Sequence, residues 1–152
     1  MIPLADDNPT RSTPLITYIL IACCVVVFLW QLSLGPNVKV AIYALGVIPA
    51  SLLQGALLPQ ELRWVSPEIT VITSMFLHGG FMHLIGNMLY LWVFGDNIED
   101  ILGKPVFILF YLLCGLVAAL SQAIPDPAST IPMIGASGAI SGILGEIGRA
   151  HV

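Results

Sequence analysis

The stretch that decides the fold is residues 14–34, PLITYILIACCVVVFLWQLSL, which runs for 21 residues without a formally charged side chain. An apolar helix of about 20 residues spans the roughly 30 Å hydrocarbon core of a bilayer. The alternative is a signal peptide, but the apolar region of a signal peptide is shorter, and no cleavage site between small residues follows here. We therefore predict a first transmembrane helix.

The composition of the whole chain also indicates a membrane protein. Its 152 residues are 57% hydrophobic and 9% charged, with a mean hydropathy of +0.94, whereas soluble domains average about 25% charged residues. The net charge of −4 is small and the sequence has no basic cluster, which argues against a nucleic-acid partner. Cys23, Cys24 and Cys114 lie in apolar runs without metal-ligand spacing, and we interpret them as packing residues.

Further apolar segments predict more helices. Residues 70–94 are predicted as a second span, and residues 105–123 as a third, which opens with a proline whose missing N–H is tolerated in a first turn. Residues 95–104 are predicted as a short polar connection between them. A fourth helix, rich in Gly and Ser, is predicted to open at Ile134 and to fail after Gly145, where charged residues follow.

The segment between the first two spans, residues 35–69, contains four prolines and four charged side chains and is too interrupted to span. Residues 41–53 and 54–58 are apolar enough to lie in the headgroup region as short helices. Such a loop regulates access to a site or anchors the protein at the interface, and the sequence leaves both open.

These segments divide the chain into three parts. Residues 1–13 are polar and are expected to form a flexible lead. Residues 14–145 are interpreted as the N-terminal part of a larger membrane domain. Residues 146–152, EIGRAHV, place charged side chains in a span that is still too short to cross the bilayer, and we interpret them as a non-native tail.

Three polar residues mark the second predicted span. His83 and Asn87 are four apart, so they share one helix face about 6 Å apart along the axis, and both donate hydrogen bonds as an oxyanion hole requires. They could instead hold helices together at about 0.6 kcal/mol per hydrogen bond. His78 lies about 140° around the helix from His83 and is expected to make a structural hydrogen bond near the helix end. Two histidines at this spacing chelate a metal poorly.

A second group of candidates lies on the fourth helix. Ser137 lies in a Gly-Ala-Ser-Gly run near the predicted helix start, where free N–H groups and the positive dipole end stabilise negative charge. Gly135 and Gly138 leave room for a substrate backbone and a neighbouring helix. Gly138, Gly142 and Gly145 form a smooth stripe that fits a close helical partner. The alternative is that these small residues are a packing face and nothing more.

Taken together, the two groups satisfy several requirements of a serine hydrolase inside a bilayer. A serine nucleophile also needs a general base, and none is evident. His83 is assigned to the oxyanion, His78 is near a helix end, and His151 is some 21 Å further along the helix from Ser137.

The same residues resemble the rhomboid family of intramembrane serine proteases. The resemblance rests on three segments: MFLHGGFMHLIGNML (residues 75–89), FGDNIED (94–100) and IPMIGASGAISG (131–142). It covers most of the chain from the first span to Gly145.

The resemblance implies a role for each candidate residue. Ser137 would be the nucleophile, and His83 and Asn87 would line the oxyanion hole. His78, Gly135 and Gly138 would support the site. No metal or cofactor is implied.

The resemblance also implies features that this chain lacks. Rhomboid proteases have a six-helix core, and the base is a histidine on the sixth helix, which packs on the fourth through small residues. The fifth and sixth helices are absent here. Ser141 stands where some members have a tyrosine, and Arg63-Trp64 is reversed and displaced relative to the aromatic-arginine pair of the first loop in some members. That loop would correspond to residues 35–69.

The predicted fold is therefore an all-α polytopic membrane protein, a truncated rhomboid-like helical bundle of three complete transmembrane helices and the start of a fourth. The predicted function is an intramembrane serine endopeptidase that cuts transmembrane protein substrates, of which this chain is an inactive fragment. Its predicted location is the bacterial inner membrane, as a multi-pass protein in contact with the lipid bilayer. The alternative is a non-catalytic relative that binds transmembrane clients. A channel or transporter subunit fits less well, because the polar residues concentrate at one depth.

Overall fold

Helices account for the regular elements of the computed structural model, which describes residues 13–150. The one extended pairing among these residues is a bridge between Val47 and Met133, so the predicted all-α class is confirmed. The α-helices, in chain order, are α1 (Leu15–Ser33), α2 (Val38–Leu45), α3 (Pro49–Gln54), α4 (Pro67–Thr73), α5 (Phe81–Leu102), α6 (Lys104–Ala123) and α7 (Ser137–Ala150). The lead expected at residues 1–13 lies outside the described residues except for Thr13.

Two of these helices, α1 and α6, are by themselves long and apolar enough to cross a membrane. Helix α1 matches the predicted first span to within one residue at each end, and α6 ends at the predicted Ala123 with its proline in the first turn. A third span exists only if the bent pair of α4 and α5 is counted as one. The expected three complete spans are therefore the upper limit.

The second predicted span is not one continuous helix, which corrects the sequence-based expectation. Helix α4 and the 3₁₀ turn Ser74–Phe76 meet α5 at an angle of 82°. Two adjacent glycines, Gly79 and Gly80, lie in the break, and glycine is a poor helix former. The side chain of Gln31 on α1 bonds both backbone groups of His78, so the broken backbone remains paired.

The prediction of a polar connection at residues 95–104 is also wrong, because α5 continues to Leu102. Gly103, whose φ is +74°, follows as its C-cap. The reason lies at the start of α1, where Pro14 offers no side-chain cap. Glu99 provides one from α5. Its carboxyl oxygens accept the N–H groups of Ile16 (3.0 Å) and Thr17 (2.8 Å) and the Thr17 hydroxyl (2.9 Å). A carboxyl group at a helix N-terminus satisfies N–H groups that have no intrahelical partner.

The first loop, residues 34–66, contains two short helices and is also hydrogen-bonded to a distant segment of the chain. Helices α2 and α3 occupy only part of the predicted range 41–53, and residues 55–59 are not helical. Backbone hydrogen bonds join Val47 to Met133 in both directions, and the Ala50 N–H donates to the Ser129 carbonyl. The loop is therefore fixed to the segment that leads into α7.

Helix α7 begins at Ser137 instead of Ile134 and continues to Ala150, past the point where it was predicted to fail. Charged side chains do not end a helix by themselves, since Glu and Arg are good helix formers. His151 and Val152, the end of the predicted tail, lie outside the described residues.

The glycine stripe of α7 has a different partner from the one expected. Gly138 and Gly142 pack against Ala118 and Cys114 of α6, so closely that a Cβ at either glycine would clash, whereas Gly145 has nothing within 4 Å. The two glycines therefore make a close helix contact within this chain. The main core lies between α5, α6 and α7, and its largest fully buried side chains are Leu91, Ile98, Phe107, Tyr111 and Ile143.

Candidate active site

Ser137 is the first residue of α7 and is exposed. The backbone before it is held in place, because the Gly135 N–H donates to the Ser74 carbonyl at 2.9 Å. Gly135 has a φ of +120°, a conformation that residues with a side chain rarely adopt. The serine therefore follows a turn that is specified by glycine and fixed to the end of the bent second segment.

The side chains of His83 and Asn87 lie against this turn. A Cβ on Gly135 would be 2.6 Å from both Cε1 and Nε2 of His83 and 3.8 Å from Nδ2 of Asn87. Glycine at position 135 thus meets two requirements, its backbone conformation and the close approach of the imidazole. The structure brings together the residues that the sequence singled out on two separate helices.

The hydrogen bonding of His83 fixes which ring nitrogen is a donor. The Gly79 N–H donates to His83 Nδ1 at 3.3 Å. A neutral imidazole that accepts at Nδ1 carries its proton on Nε2. Nε2 and the adjoining Cε1 are the ring atoms that face Gly135, so the ring presents a donor towards the turn before Ser137.

Asn87 contributes a second donor. Its side chain is 7% exposed, and its Nδ2 is buried without a hydrogen-bond partner. Leaving a buried donor unpaired costs about 1–3 kcal/mol, so such groups are rare and call for an explanation. An amide that held helices together would have its partner within the bundle, and Nδ2 has none.

A groove of about 330 Å³ opens between α5 and α7 at these residues. Its lining combines the candidate nucleophile and both candidate oxyanion donors with apolar side chains, namely Met82, His83, Gly86, Asn87, Tyr90, Ser137, Ile140, Ser141 and Leu144. The Ser141 hydroxyl donates to the Ser137 carbonyl at 2.7 Å. The groove therefore leaves Ser137 accessible on the same side as His83 and Asn87.

His78 occupies a different place from the one predicted. It lies in the break before α5 and not on the same helix as His83, so the expected 140° separation does not apply. The two rings meet edge to face with centroids 5.2 Å apart. His78 is 1% exposed, its Nδ1 donates to the Phe76 carbonyl, and its Nε2 is buried without a partner. The ring of His78 therefore lies directly against the ring of His83.

Three residues near the site were not found from the sequence. Gln31 holds the backbone of His78 in place, Ser74 accepts the Gly135 N–H, and Tyr90 lines the groove. Gln31 had a detectable signal, since it is a strongly polar residue inside an apolar span. Ser74 acts through its backbone carbonyl, which leaves no trace in the sequence.

The candidates for other chemistry remain apart. Among residues 13–150, no group of three or more His, Cys, Asp or Glu side chains is placed to hold a metal ion. Cys24 is fully buried, and Cys114 packs against Gly142.

Comparison with known proteins identifies the family. Residues 66–147, more than half of the chain, match the family model of the Rhomboid domain. The chain belongs to the rhomboid family. This rhomboid is 31% identical over 138 residues to "Rhomboid protease GluP" of Bacillus subtilis, a match that covers 90% of this chain and 25% of that protein. It is 36% identical over 115 residues to "Rhomboid protein 1, mitochondrial" of Saccharomyces cerevisiae, covering 72% of this chain and 33% of that protein.

The chain thus spans about a quarter to a third of the length of these relatives. Family membership and the apolar helices make it an integral membrane protein of a family of intramembrane proteases. The matched residues 66–147 include the whole candidate site, from His78 to Ser141.

Proposed function

We propose that this rhomboid carries the nucleophile and the oxyanion hole of an intramembrane serine endopeptidase that cuts transmembrane protein substrates. Ser137 is the nucleophile, and Nε2 of His83 and Nδ2 of Asn87 are the oxyanion donors. His78, Gly135 and Gly138 position them. As the compartment we propose the bacterial inner membrane, because a relative that matches 90% of the chain is bacterial, although another is mitochondrial.

The proposed chemistry is acyl transfer to serine. Ser137 Oγ attacks the carbonyl carbon of a peptide bond in an extended segment that occupies the groove. A bond forms between Oγ and this carbon, the carbonyl electrons move to its oxygen, and the hydroxyl proton passes to a general base. Donors already in place around the developing oxyanion are usually the largest single contribution to such a reaction.

The observation that carries the proposal is the unpaired amide of Asn87. Its Nδ2 is buried, has no partner, and lies beside the turn that leads into Ser137. A substrate oxyanion would supply the missing acceptor, which explains why the fold tolerates an unpaired donor at this position.

The general base is the part of the site that the described residues do not supply. The histidines among residues 13–150 are His78 and His83, and both are engaged in the arrangement around Gly135. By the resemblance, the base is a histidine on a sixth helix. We therefore propose that residues 1–152 alone do not cleave substrate, since an unactivated serine hydroxyl is a weak nucleophile. The proposal that residues 146–152 are a non-native tail is tested by sequencing the gene beyond Gly145.

The alternative function is capture of transmembrane clients without cleavage. It shares the groove and differs only in the chemistry at Ser137, so one matched pair of variants separates the two. Ser141 lines the same groove one turn further along α7 and serves as the control.

The test uses the gene product that continues this chain through a complete rhomboid domain, in detergent, with a transmembrane reporter and a serine-reactive fluorophosphonate probe. Ser137→Ala should abolish both cleavage and labelling, whereas Ser141→Ala should retain both. Binding of the reporter without any cleavage by the unaltered protein would favour the client-binding alternative. Labelling that persists in Ser137→Ala would show that the nucleophile is elsewhere.

A further inference from the structure

The first loop lines a cavity that lies apart from Ser137. It has a volume of about 620 Å³ and is bounded by α3, by the following loop and by the first turn of α4. Arg63, Trp64, Ser66 and Glu68 contribute its polar lining. No residue that lines this cavity also lines the groove at Ser137. Its volume is in the range of small-molecule sites, about 300–1,000 Å³.

An apolar groove of about 370 Å³ adjoins this cavity, and Leu52 and Glu68 line both. From there the groove follows Val71 and Ile72 of α4 and a row of leucines on α6, Leu112, Leu113, Leu116 and Leu120. The row from Leu112 to Leu120 is about 12 Å long at 1.5 Å per residue. This is most of one leaflet, which is about 15 Å thick, or half of the hydrocarbon core.

Two tryptophans give the depth of the cavity in the bilayer. Trp64 lines the cavity and contacts Trp30, near the end of α1, with ring centroids 6.5 Å apart. Both rings are partly exposed. Tryptophan concentrates where the hydrocarbon core meets the headgroups. The charged end of the cavity, at Arg63 and Glu68, is therefore expected at the headgroup level, with the leucine-lined groove on the hydrocarbon side.

The two charged side chains of the cavity indicate which lipid headgroup would fit it. Arg63 donates its Nε–H to the Leu58 carbonyl, which holds the guanidinium in place and leaves its terminal N–H groups for another acceptor. A guanidinium binds phosphate through two parallel hydrogen bonds. Glu68 adds one negative charge where the cavity meets the groove. A cation and an anion together match a headgroup that carries both a phosphate and an ammonium group.

We propose that the first loop binds one glycerophospholipid with an ethanolamine headgroup. The phosphate binds Arg63, the ammonium group binds Glu68, and one acyl chain lies in the groove between α4 and α6. The site is independent of the proposed protease function, and no chemical step is involved.

The test is native mass spectrometry of the purified chain in a mild detergent, titrated with palmitoyl-oleoyl phosphatidylethanolamine or with the matching phosphatidylglycerol. One ethanolamine lipid should bind, with an affinity at least tenfold higher than that for the glycerol lipid. Equal affinities, or several equivalent lipids, would overturn the proposal and indicate unspecific annular lipid. Soluble glycerophosphoethanolamine, which lacks acyl chains, should not displace the lipid, and displacement at equal concentration would show that the groove is not used.

Two pairs of variants locate the site. Arg63→Ala should weaken binding of the ethanolamine lipid about tenfold or more, because charge-assisted hydrogen bonds are lost, while Lys39→Ala, a cation of the same loop outside both cavities, should have no effect. Leu116→Trp should block the groove, whereas Val117→Trp, at an exposed residue that does not line the groove, should not. Equal losses in both members of a pair would overturn the proposal. If Arg63→Ala fails to fold, Arg63→Lys should still weaken binding, since a lysine keeps the charge and loses the paired geometry.

Discussion

Helix α5 carries a buried polar side chain towards each end, and the two differ in their hydrogen bonding. At one end, Glu99 is 1% exposed and accepts three hydrogen bonds of 2.8–3.0 Å from residues at the start of α1. Twelve residues earlier, Asn87 is 7% exposed, and its Nδ2 has no partner. The same helix thus carries one fully paired polar group and one unpaired donor.

This difference separates two reasons for placing a polar residue in an apolar bundle. Strongly polar residues within transmembrane segments are costly, so each one needs a compensating benefit. Glu99 gains its benefit in the folded protein itself, because it caps α1. Asn87 gains nothing there, and the proposed benefit is realised only when an oxyanion forms in the groove. Stability and activity should therefore respond in opposite ways to substitution at the two ends.

The largest effect is expected for activity at Asn87. In the complete protein, Asn87→Ala should lower turnover about 10²- to 10³-fold, the usual loss for one oxyanion donor. The free energy of unfolding should change by less than about 1 kcal/mol, because no hydrogen bond is removed from Nδ2. Turnover of a transmembrane reporter and thermal unfolding in detergent measure the two quantities. Weaker substrate binding at normal turnover would indicate a helix-packing role and would remove the contrast with Glu99.

At the other end of α5, Glu99→Ala should destabilise the protein by roughly 3 kcal/mol, since it leaves two buried donors and one partly buried donor unpaired. Glu99→Gln should also destabilise, because an amide replaces one acceptor oxygen by a donor that faces other donors. Thermal unfolding in detergent measures both. Glu61→Ala, an exposed glutamate in the first loop, is the control and should stay within about 0.5 kcal/mol. An unfolding temperature unchanged by Glu99→Ala would show that α1 needs no cap.

The sequence predicted best where one physical signal was enough. Apolar length alone located α1 and α6 to within a residue or so, because hydrocarbon thickness imposes it. The residues of the candidate site were found as well, since a serine in a Gly-rich run and a His-Asn pair are unusual in a membrane segment. Their proximity was not predictable from spacing, because it depends on the turn at Gly135 and on the position of α7.

The failures have a common cause, which is a polar side chain that acts on the backbone of a distant helix. The polarity of residues 95–102 predicts a connection, but these residues are helical and Glu99 among them caps α1. The apolar character of the sequence around His78 predicts an unbroken span, but the helix breaks there and Gln31, 47 residues earlier, pairs the backbone of the break. Such long-range pairs are fixed by tertiary structure, and a local pattern does not contain them.

Substitution of Gln31 tests whether a polar residue contributes to activity because it lies near the site, or to stability because its side chain is hydrogen-bonded. It contacts His78 of the candidate site, yet its amide is paired in the manner of Glu99. Gln31→Leu should destabilise the protein by about 2 kcal/mol, as it leaves the buried N–H and carbonyl of His78 unpaired. Cys23→Leu on the exposed face of α1 is the control. Thermal unfolding in detergent measures the loss of stability. A variant with normal stability and reduced turnover would instead give Gln31 a role in activity, as proposed for Asn87.

The smallest effect is expected at Thr17, the hydroxyl donor to Glu99. Thr17 is fully buried, and its side chain packs against Gly95, where a Cβ would lie 2.9–3.0 Å from it. Thr17→Val keeps this shape and removes one of the three hydrogen bonds to the carboxyl group, so the expected loss is about 1 kcal/mol.

Thr17→Ser keeps the hydroxyl and removes a methyl group, which separates the hydrogen bond from the packing. If the cap depends on the hydroxyl, then with Glu99 present the unaltered protein should be the most stable in thermal unfolding. Thr17→Ser should be less stable, and Thr17→Val the least stable. In a Glu99→Ala background the order of Ser and Val should reverse, because the acceptor is then gone and only the packing difference, which favours Val, remains. A loss at Thr17→Val that persists without Glu99 would show that the hydroxyl has another partner and that the α1 cap rests on the two backbone N–H groups alone.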